Sequence, residues 1–319
     1  MIVHAHHETN SFSSALANQA AKTLRSAGHT VVLSDLYRMG FNPVSDRRNF
    51  TSSKNPDYLK QQAEEAYATE VGGFDADIES EIVKLESADA IILSFPLWWF
   101  GVPAILKGWF DRVLASGRVY GGAKLYENGL GKSVKRGLVL LTTGGGPDVY
   151  GGLGVNPPLS TVLTPIQHGI FWFNGILPLD PFVAWSPARQ SEDERNAVLE
   201  SLERRLGTLF SEDPVRLPPL ADFPNWGHDT KTRYLVVATC KKTPDDRFKT
   251  LVPAEQAMIA QWKKEGVLLD FSMANPGDPN WRAFLKFRAA NRQEVDALLQ
   301  KLPLIDYLQF EVTELAKLG

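Results

Sequence analysis

The run Ala90-Ile91-Ile92-Leu93-Ser94 carries no polar residue until its end, then opens onto Phe95-Pro96-Leu97-Trp98-Trp99-Phe100-Gly101-Val102-Pro103. A strand without polar alternation is buried on both faces. Such strands sit inside sheets that helices cover on either side. Its carboxyl end is then a ligand-binding edge, since open α/β sheets bind at the carboxyl ends of their strands. Flat aromatic faces beside backbone N–H groups suit a planar heterocycle such as a flavin. The same stretch also reads as a strand-to-helix turn whose aromatics simply pack.

The rest of residues 1–210 agrees with that sheet. Met1–Ala5 reads as a first strand, which already stands at the start of the chain, so a few residues ahead of it are expected. A helix over 14–27 follows, with Ser13 as its N-cap. Val31–Leu33 is a second strand, Ala90–Phe95 a third and Gly137–Thr142 a fourth. Ile176–Val183 is a fifth, interrupted by Pro178 and Pro181. Ser191–Phe210 reads as a closing helix, with Leu199, Leu202, Leu206 and Leu209 at helical spacing. The polar segment 46–73 reads as a surface excursion. Alternating β and α implies a mostly parallel sheet with right-handed crossovers, and five strands in this order predict the flavodoxin-like doubly wound fold.

Prolines 214, 218, 219 and 224 then mark a linker over 211–230. Residues 231–319 start a new pattern. Strands are predicted at 234–238, 267–274, 281–287 and 308–312. Helices are predicted at 253–265, with Pro253 at its start, and at 292–301. The turn Asn275-Pro276-Gly277-Asp278 joins the middle strands. The order βαββαβ is a ferredoxin-like α+β plan. Phe271, Met273, Trp281, Phe284 and Phe287 make amphipathic strands that call for a covering partner.

Composition narrows the function. A net charge of −3, with no basic patch, gives no reason to expect nucleic acid. One cysteine, Cys240, excludes an internal disulfide framework and fits a cytoplasmic setting. No stretch is apolar enough to span a membrane, and no signal peptide precedes the first strand.

Three loops leave the carboxyl ends of strands one, three and four. His6–Ser13 runs into a helix N-terminus, where N–H groups and the dipole favour phosphate; His6 adds a charge-assisted contact. No metal site is expected at His4, His6 and His7, because acidic and cysteine partners are missing nearby. The aromatic platform is the second loop. The third, Thr142-Thr143-Gly144-Gly145-Gly146-Pro147, offers glycines that reach positive φ and let backbone N–H groups approach a ligand. It has neither the spacing of a dinucleotide fingerprint nor a Walker lysine.

Residues 2–210 resemble the NAD(P)H:quinone oxidoreductases of the DT-diaphorase type. The resemblance rests on Ser34–Pro43, on the run through Arg112, on Leu141–Gly145 and on Pro165-Ile166-Gln167. It implies a homodimer, or a higher homo-oligomer, with FAD at each subunit interface. It also implies two-electron reduction of quinones by NADH or NADPH, with ping-pong hydride transfer through flavin N5. By the family pattern, His6, Asn10, Phe12 and Ser13 hold the pyrophosphate and adenosine side. Pro96, Leu97, Trp99 and Phe100 lie along the isoalloxazine. Thr142, Thr143, Gly144, Gly145 and Tyr150 bond its polar rim. Tyr120, Gly122 and Phe100 line the acceptor side. Tyr150 matches the family's active-site tyrosine, while its partner histidine falls at Asn156, which donates a hydrogen bond but takes up no proton. Gly122 replaces a second pocket tyrosine and widens the acceptor side.

Residues 231–319 resemble the muconolactone isomerase-like and YciI-like members of the dimeric α+β barrel group, chiefly through Lys301–Val312. That implies an assembly or pocket-covering module, or else an isomerase or lyase centre; Asp270, Glu265 and His228 are the groups to inspect first, and Cys240 reads as a small core residue. An azo- or nitro-compound reductase using the same first-domain site, or a redox-sensing flavoprotein, are the other readings the sequence leaves open.

Overall fold

The computed structural model describes residues 1–122, 124–130, 134–223, 232–278 and 280–315. Two compact units divide the chain, Met1–Asp222 and Phe223–Gly319. Part of the Pro-rich segment, 224–231, and with it His228, lies outside the described residues.

In the first unit β1 (Ile2–His4), β2 (Leu33–Asp35), β3 (Ala90–Pro96), β4 (Arg136–Thr143), β5 (Leu177–Pro178) and β6 (Phe182–Trp185) form one parallel sheet, ordered β2-β1-β3-β4-β5 with β6 also on β4. This is the flavodoxin-like order, and the fifth strand is split in two where Pro181 stands between β5 and β6. β3 and β4 are buried almost throughout, which their unbroken apolar runs require. The helices are α1 (Phe12–Ser26), α2 (Gln61–Val71), α3 (Ala76–Ser87), α4 (Ala104–Val113), α5 (Leu159–Ile166) and α6 (Glu192–Leu206). One core, with Leu93, Phe95, Trp109 and Leu141, covers one sheet face. A second, with Leu16, Ile92, Leu140 and Leu202, covers the other.

The cap of α1 is Ser11, not Ser13: the Ser11 hydroxyl accepts the Ser14 N–H at 3.1 Å. The second strand sits two residues later than its sequence reading, at Leu33–Asp35. The segment 46–73 is largely exposed or half-buried, as its polarity suggests, but a few of its polar residues reach inside. Asn49, Glu64, Glu65 and Ala68 are buried. The Glu64 carboxylate accepts the Lys54 and Asn55 N–H groups at 2.7 and 2.8 Å, and Glu65 accepts the Ser116 N–H at 2.7 Å. Buried carboxylates that satisfy backbone donors look like solvated charge in a sequence.

The motif at 34–43 serves α4. Gly108 packs onto Pro43, Arg112 lies over the Phe41 ring at 5.2 Å, and its guanidinium donates to Asn42 O and to Asn49 Oδ1. Trp109 Nε1 donates to fully buried Glu81, which also accepts from Ser34 and Lys84. These contacts hold α4, and with it the loop that leads from β3.

The second unit is βαββαβ: β7 (Thr232–Cys240), α7 (Asp246–Lys264), β8 (Leu268–Ala274), β9 (Arg282–Ala289), α8 (Arg292–Leu299) and β10 (Leu308–Leu315). Its antiparallel sheet runs β10-β7-β9-β8. Pro253 does not start α7 but lies inside it. Asp245 caps the true start by accepting the Phe248 N–H at 3.0 Å, and the Tyr307 hydroxyl donates to the same carboxylate at 2.6 Å. The helix thus starts from a cap held by a residue distant in the chain, with the proline, which removes one helical hydrogen bond, inside it. Phe287 is fully buried in the core rather than awaiting a partner, and Cys240 is half-buried.

Candidate active site

Leu97, Trp98, Trp99, Phe100 and Gly101 follow β3 in a tight turn closed by Trp98 N–H to Gly101 O at 3.1 Å and Gly101 N–H to Trp98 O at 2.9 Å. Both central residues take positive φ, Trp99 at 51° and Phe100 at 58°. Bulky residues rarely adopt that left-handed conformation. Trp99 is also 98% exposed and Phe100 51%. A strained turn that holds two aromatic rings in solvent contributes nothing to the core, and such strain gathers at functional sites.

The other two loops converge on this turn. The stacked rings of His6 and His7 each lie 5.8 Å from Trp98. Leu97 N–H donates to Thr142 O at 2.8 Å, and the buried hydroxyls of Ser13 and Thr142 pair at 2.8 Å. The Ser13 side chain is therefore engaged within the protein. Asn10 is exposed, and its N–H donates to the Glu8 carboxylate at 2.8 Å. His6 Nδ1 accepts the Glu8 N–H at 3.0 Å, and burial, then the neighbouring His7, hold its pKa below the usual histidine value. With Nδ1 accepting, the ring N–H is on Nε2.

Thr142 and Thr143 are buried, Gly144 is exposed and Gly145 half-buried. The glycines of this loop do not use positive φ, as the sequence reading had it. They are small because a Cβ on Gly145 would meet Val149 Cγ2 at 2.7 Å, and one on Gly146 would meet Asp148 Oδ1 at 2.6 Å. Among the described residues the N–H groups of Gly144 and Gly145 have no acceptor. The loop is braced by Thr143 Oγ1 to Gly145 O and by Ser186, whose N–H donates to Thr143 O.

Tyr150 and Asn156 are brought together. Asn156 N–H donates to Val149 O at 2.9 Å, and Gly151 N–H to Asn156 O at 3.1 Å. The Tyr150 ring lies 5.5 Å from Trp185. Trp185 and Ser186 escaped the sequence reading, although an aromatic followed by turn residues at a strand end was the signal. Tyr120 and Gly122 lie on the segment after α4. There Tyr120 packs on Phe173 and its hydroxyl accepts from Gln62, and no hydrogen bond or ring contact among the described residues joins them to the three loops. No group of three or more His, Cys, Asp or Glu among the described residues could hold a metal ion, and no helix there is long and apolar enough to cross a membrane.

The site's chemistry suits a planar, hydrogen-bonding aromatic with an anionic tail: exposed ring faces, free backbone donors at Gly144 and Gly145, and the N-terminus of α1.

Residues 1–207 match the family model described as the flavodoxin-like fold, and residues 233–318 match that of muconolactone delta-isomerase. The chain is 41% identical over 224 residues to the NAD(P)H dehydrogenase (quinone) 1 of Rattus norvegicus, across 70% of this chain and 81% of that protein. It is 38% identical over 216 residues to the human ribosyldihydronicotinamide dehydrogenase (quinone), across 67% of this chain and 93% of that one. Among solved structures, a Klebsiella pneumoniae protein described as a "putative quinone reductase" superposes with a TM-score of 0.65 at 33% identity, covering 68% of this chain and 86% of that one.

Proposed function

This chain belongs, through residues 1–207, to the family with the flavodoxin-like fold, and we propose that it is an NAD(P)H:quinone oxidoreductase holding FAD. The observation that carries this reading is the strained, exposed Trp99–Phe100 turn beside the free N–H groups of Gly144 and Gly145. When bound, the flavin supplies the two-electron relay between a nicotinamide and an acceptor. The protein supplies placement and charge. Trp99 and Phe100, with Pro96 and Leu97 on the same loop, would hold the isoalloxazine through apolar and ring contacts. Gly144 and Gly145 would donate to the flavin's polar rim, where fixed backbone dipoles are effective in stabilising negative charge. The Tyr150 hydroxyl donates nearby. Asn156 gives a hydrogen bond but holds no proton. The first N–H groups of α1, with His6 Nε2–H and Asn10, face the anionic tail. Nicotinamide leaves before the acceptor enters, in ping-pong order. Leu153 and Val155 stand exposed on the Tyr150 loop, which supports a second copy covering the site as the family resemblance implies.

The purified protein should be yellow and release FAD on denaturation. It should consume NADH or NADPH with a quinone, giving parallel double-reciprocal lines, and sediment as a dimer or larger. Release of FMN alone overturns the FAD assignment. Turnover on an azo dye but not on a quinone assigns the site to that acceptor class. A bound flavin that NAD(P)H does not reduce makes the protein a sensor instead.

A further inference from the structure

The second unit holds a cavity of about 900 Å³ between α7 and the sheet. A domain this small ordinarily fills that space with its own side chains. Here Phe248, Val252, Trp281 and Phe310 reach the cavity but stay only half-buried, and Met273 is 44% exposed. The volume lies in the range of small-molecule sites, which are mostly apolar with a few placed polar groups. Glu255 is such a group. It is half-buried on α7, and its Oε2 accepts the Leu304 N–H at 3.0 Å, which fixes the carboxylate on the wall. Burial pushes its pKa up, so the carboxylate is short of the donors water would supply. Among the described residues its second oxygen, Oε1, has no hydrogen-bond donor. An aromatic wall with one carboxylate fixed on it suits a ring that carries hydroxyl groups. The ring covers the apolar wall, and an O–H donates to Glu255 in a charge-assisted bond. Lys241, Lys242 and Lys263 also line the cavity, so a carboxylate is the competing ligand class, which 2-naphthoate represents in the test.

We propose that this cavity binds a dihydroxyarene, with Glu255 Oε1 accepting one of its hydroxyl protons. On the reading of the first unit as a quinone reductase, that is the chemical class of its product, a hydroquinone. The fused second unit then receives what the first one makes.

The test uses the full chain with methyl-labelled methionine and 1,3-dihydroxynaphthalene as the probe, a meta-diol that forms no simple quinone. The Met273 methyl signal, assigned through Met273→Leu, reports occupancy of the cavity. We expect it to shift saturably with the diol, and more tightly than with naphthalene. In Glu255→Gln the diol should bind about tenfold or more weakly, while naphthalene binding and quinone reduction stay unchanged. Gln keeps an oxygen for the Leu304 N–H, so the fold is retained, and an unchanged Met273→Leu melting temperature checks that the reporter position tolerates change. The proposal is overturned if Met273 does not respond, if naphthalene binds as tightly as the diol, if Glu255→Gln has no effect, or if 2-naphthoate outcompetes the diol. A Met273 response in a protein that reduces no quinone would remove the first-unit reading and leave the cavity assignment standing.

Discussion

Trp99 shows how one residue can cost the fold something and still be kept. Its left-handed backbone costs roughly 1–2 kcal/mol. Glycine would relieve that but lose about 0.5–1 kcal/mol to chain entropy. Trp99→Gly should therefore raise stability by up to about 1 kcal/mol and weaken flavin retention, measured by a thermal melt and by cofactor content after dialysis. A melt that falls would show that the turn is not strained. Tyr150→Phe should slow flavin reduction with binding intact, and Asn156→His should shift the pH profile of reduction by restoring a group that titrates near neutrality. Native rates and profiles in both would place the pair outside the chemistry. His4 makes a pH prediction. It is buried between Ser94 and Ser14, and burial holds its pKa below the ordinary value of 6.5. Protonation is harder in the folded state than in the unfolded one. The stability His4 contributes is thus complete above pH 6.5 and is lost as pH falls through the lower folded-state value. His4→Gln should flatten the loss of melting temperature on acidification over that window, and an unchanged slope would assign it to other groups.

At the scale of elements, α4 is placed by what its small residue allows. Alanine is intrinsically better than glycine in a helix by about 1 kcal/mol. At Gly108, however, a Cβ would lie 2.3 Å from Pro43 O and 2.4 Å from Pro43 Cα. Backbone cannot step aside as a side chain can, and overpacking costs about 1–3 kcal/mol or more. Gly108→Ala should therefore lower the urea midpoint, and a rise would mean that α4 and the 34–43 segment separate freely. Helix α6 behaves in the opposite way. Its capping box at Ser191 and Glu194 is local, so the sequence specifies it without help.

At the scale of the molecule, the two units keep separate cores. Among the described residues, the clusters around β1–β6 draw on residues up to Leu209, and those around β7–β10 on residues from Tyr234 onward. Part of the Pro-rich segment is tied to the first unit, through Val215 N–H to Pro178 O and Leu220 N–H to Glu127. A chain ending after Asp222 keeps those bonds, whereas one ending at Asp213 loses them. The longer truncation should melt cooperatively, bind FAD and reduce a quinone. Folding and binding without NAD(P)H oxidation would give the second unit a part in the active site.

What the sequence by itself determined is what short-range pattern encodes. The apolar runs at 90–95 and 137–142 could only be central strands of a covered sheet. The alternation around them set the parallel order, and the change at the prolines announced a second, βαββαβ unit. The loops bearing His6, Trp99 and Gly144 followed, because strand ends in such a sheet share one edge. The tertiary structure decided the rest, since it turns on partners far apart in the chain. Glu65 is buried because the Ser116 N–H meets it from 51 residues away, not because of anything in 46–73 alone. Helix α7 begins at Asp246, ahead of its proline, because Tyr307 holds the cap 62 residues away. The Trp99 turn takes its strained form because strand, helix and glycine loop hold its ends. The cavity beside Glu255 exists because helix and sheet pack with a gap between them, which no local pattern records.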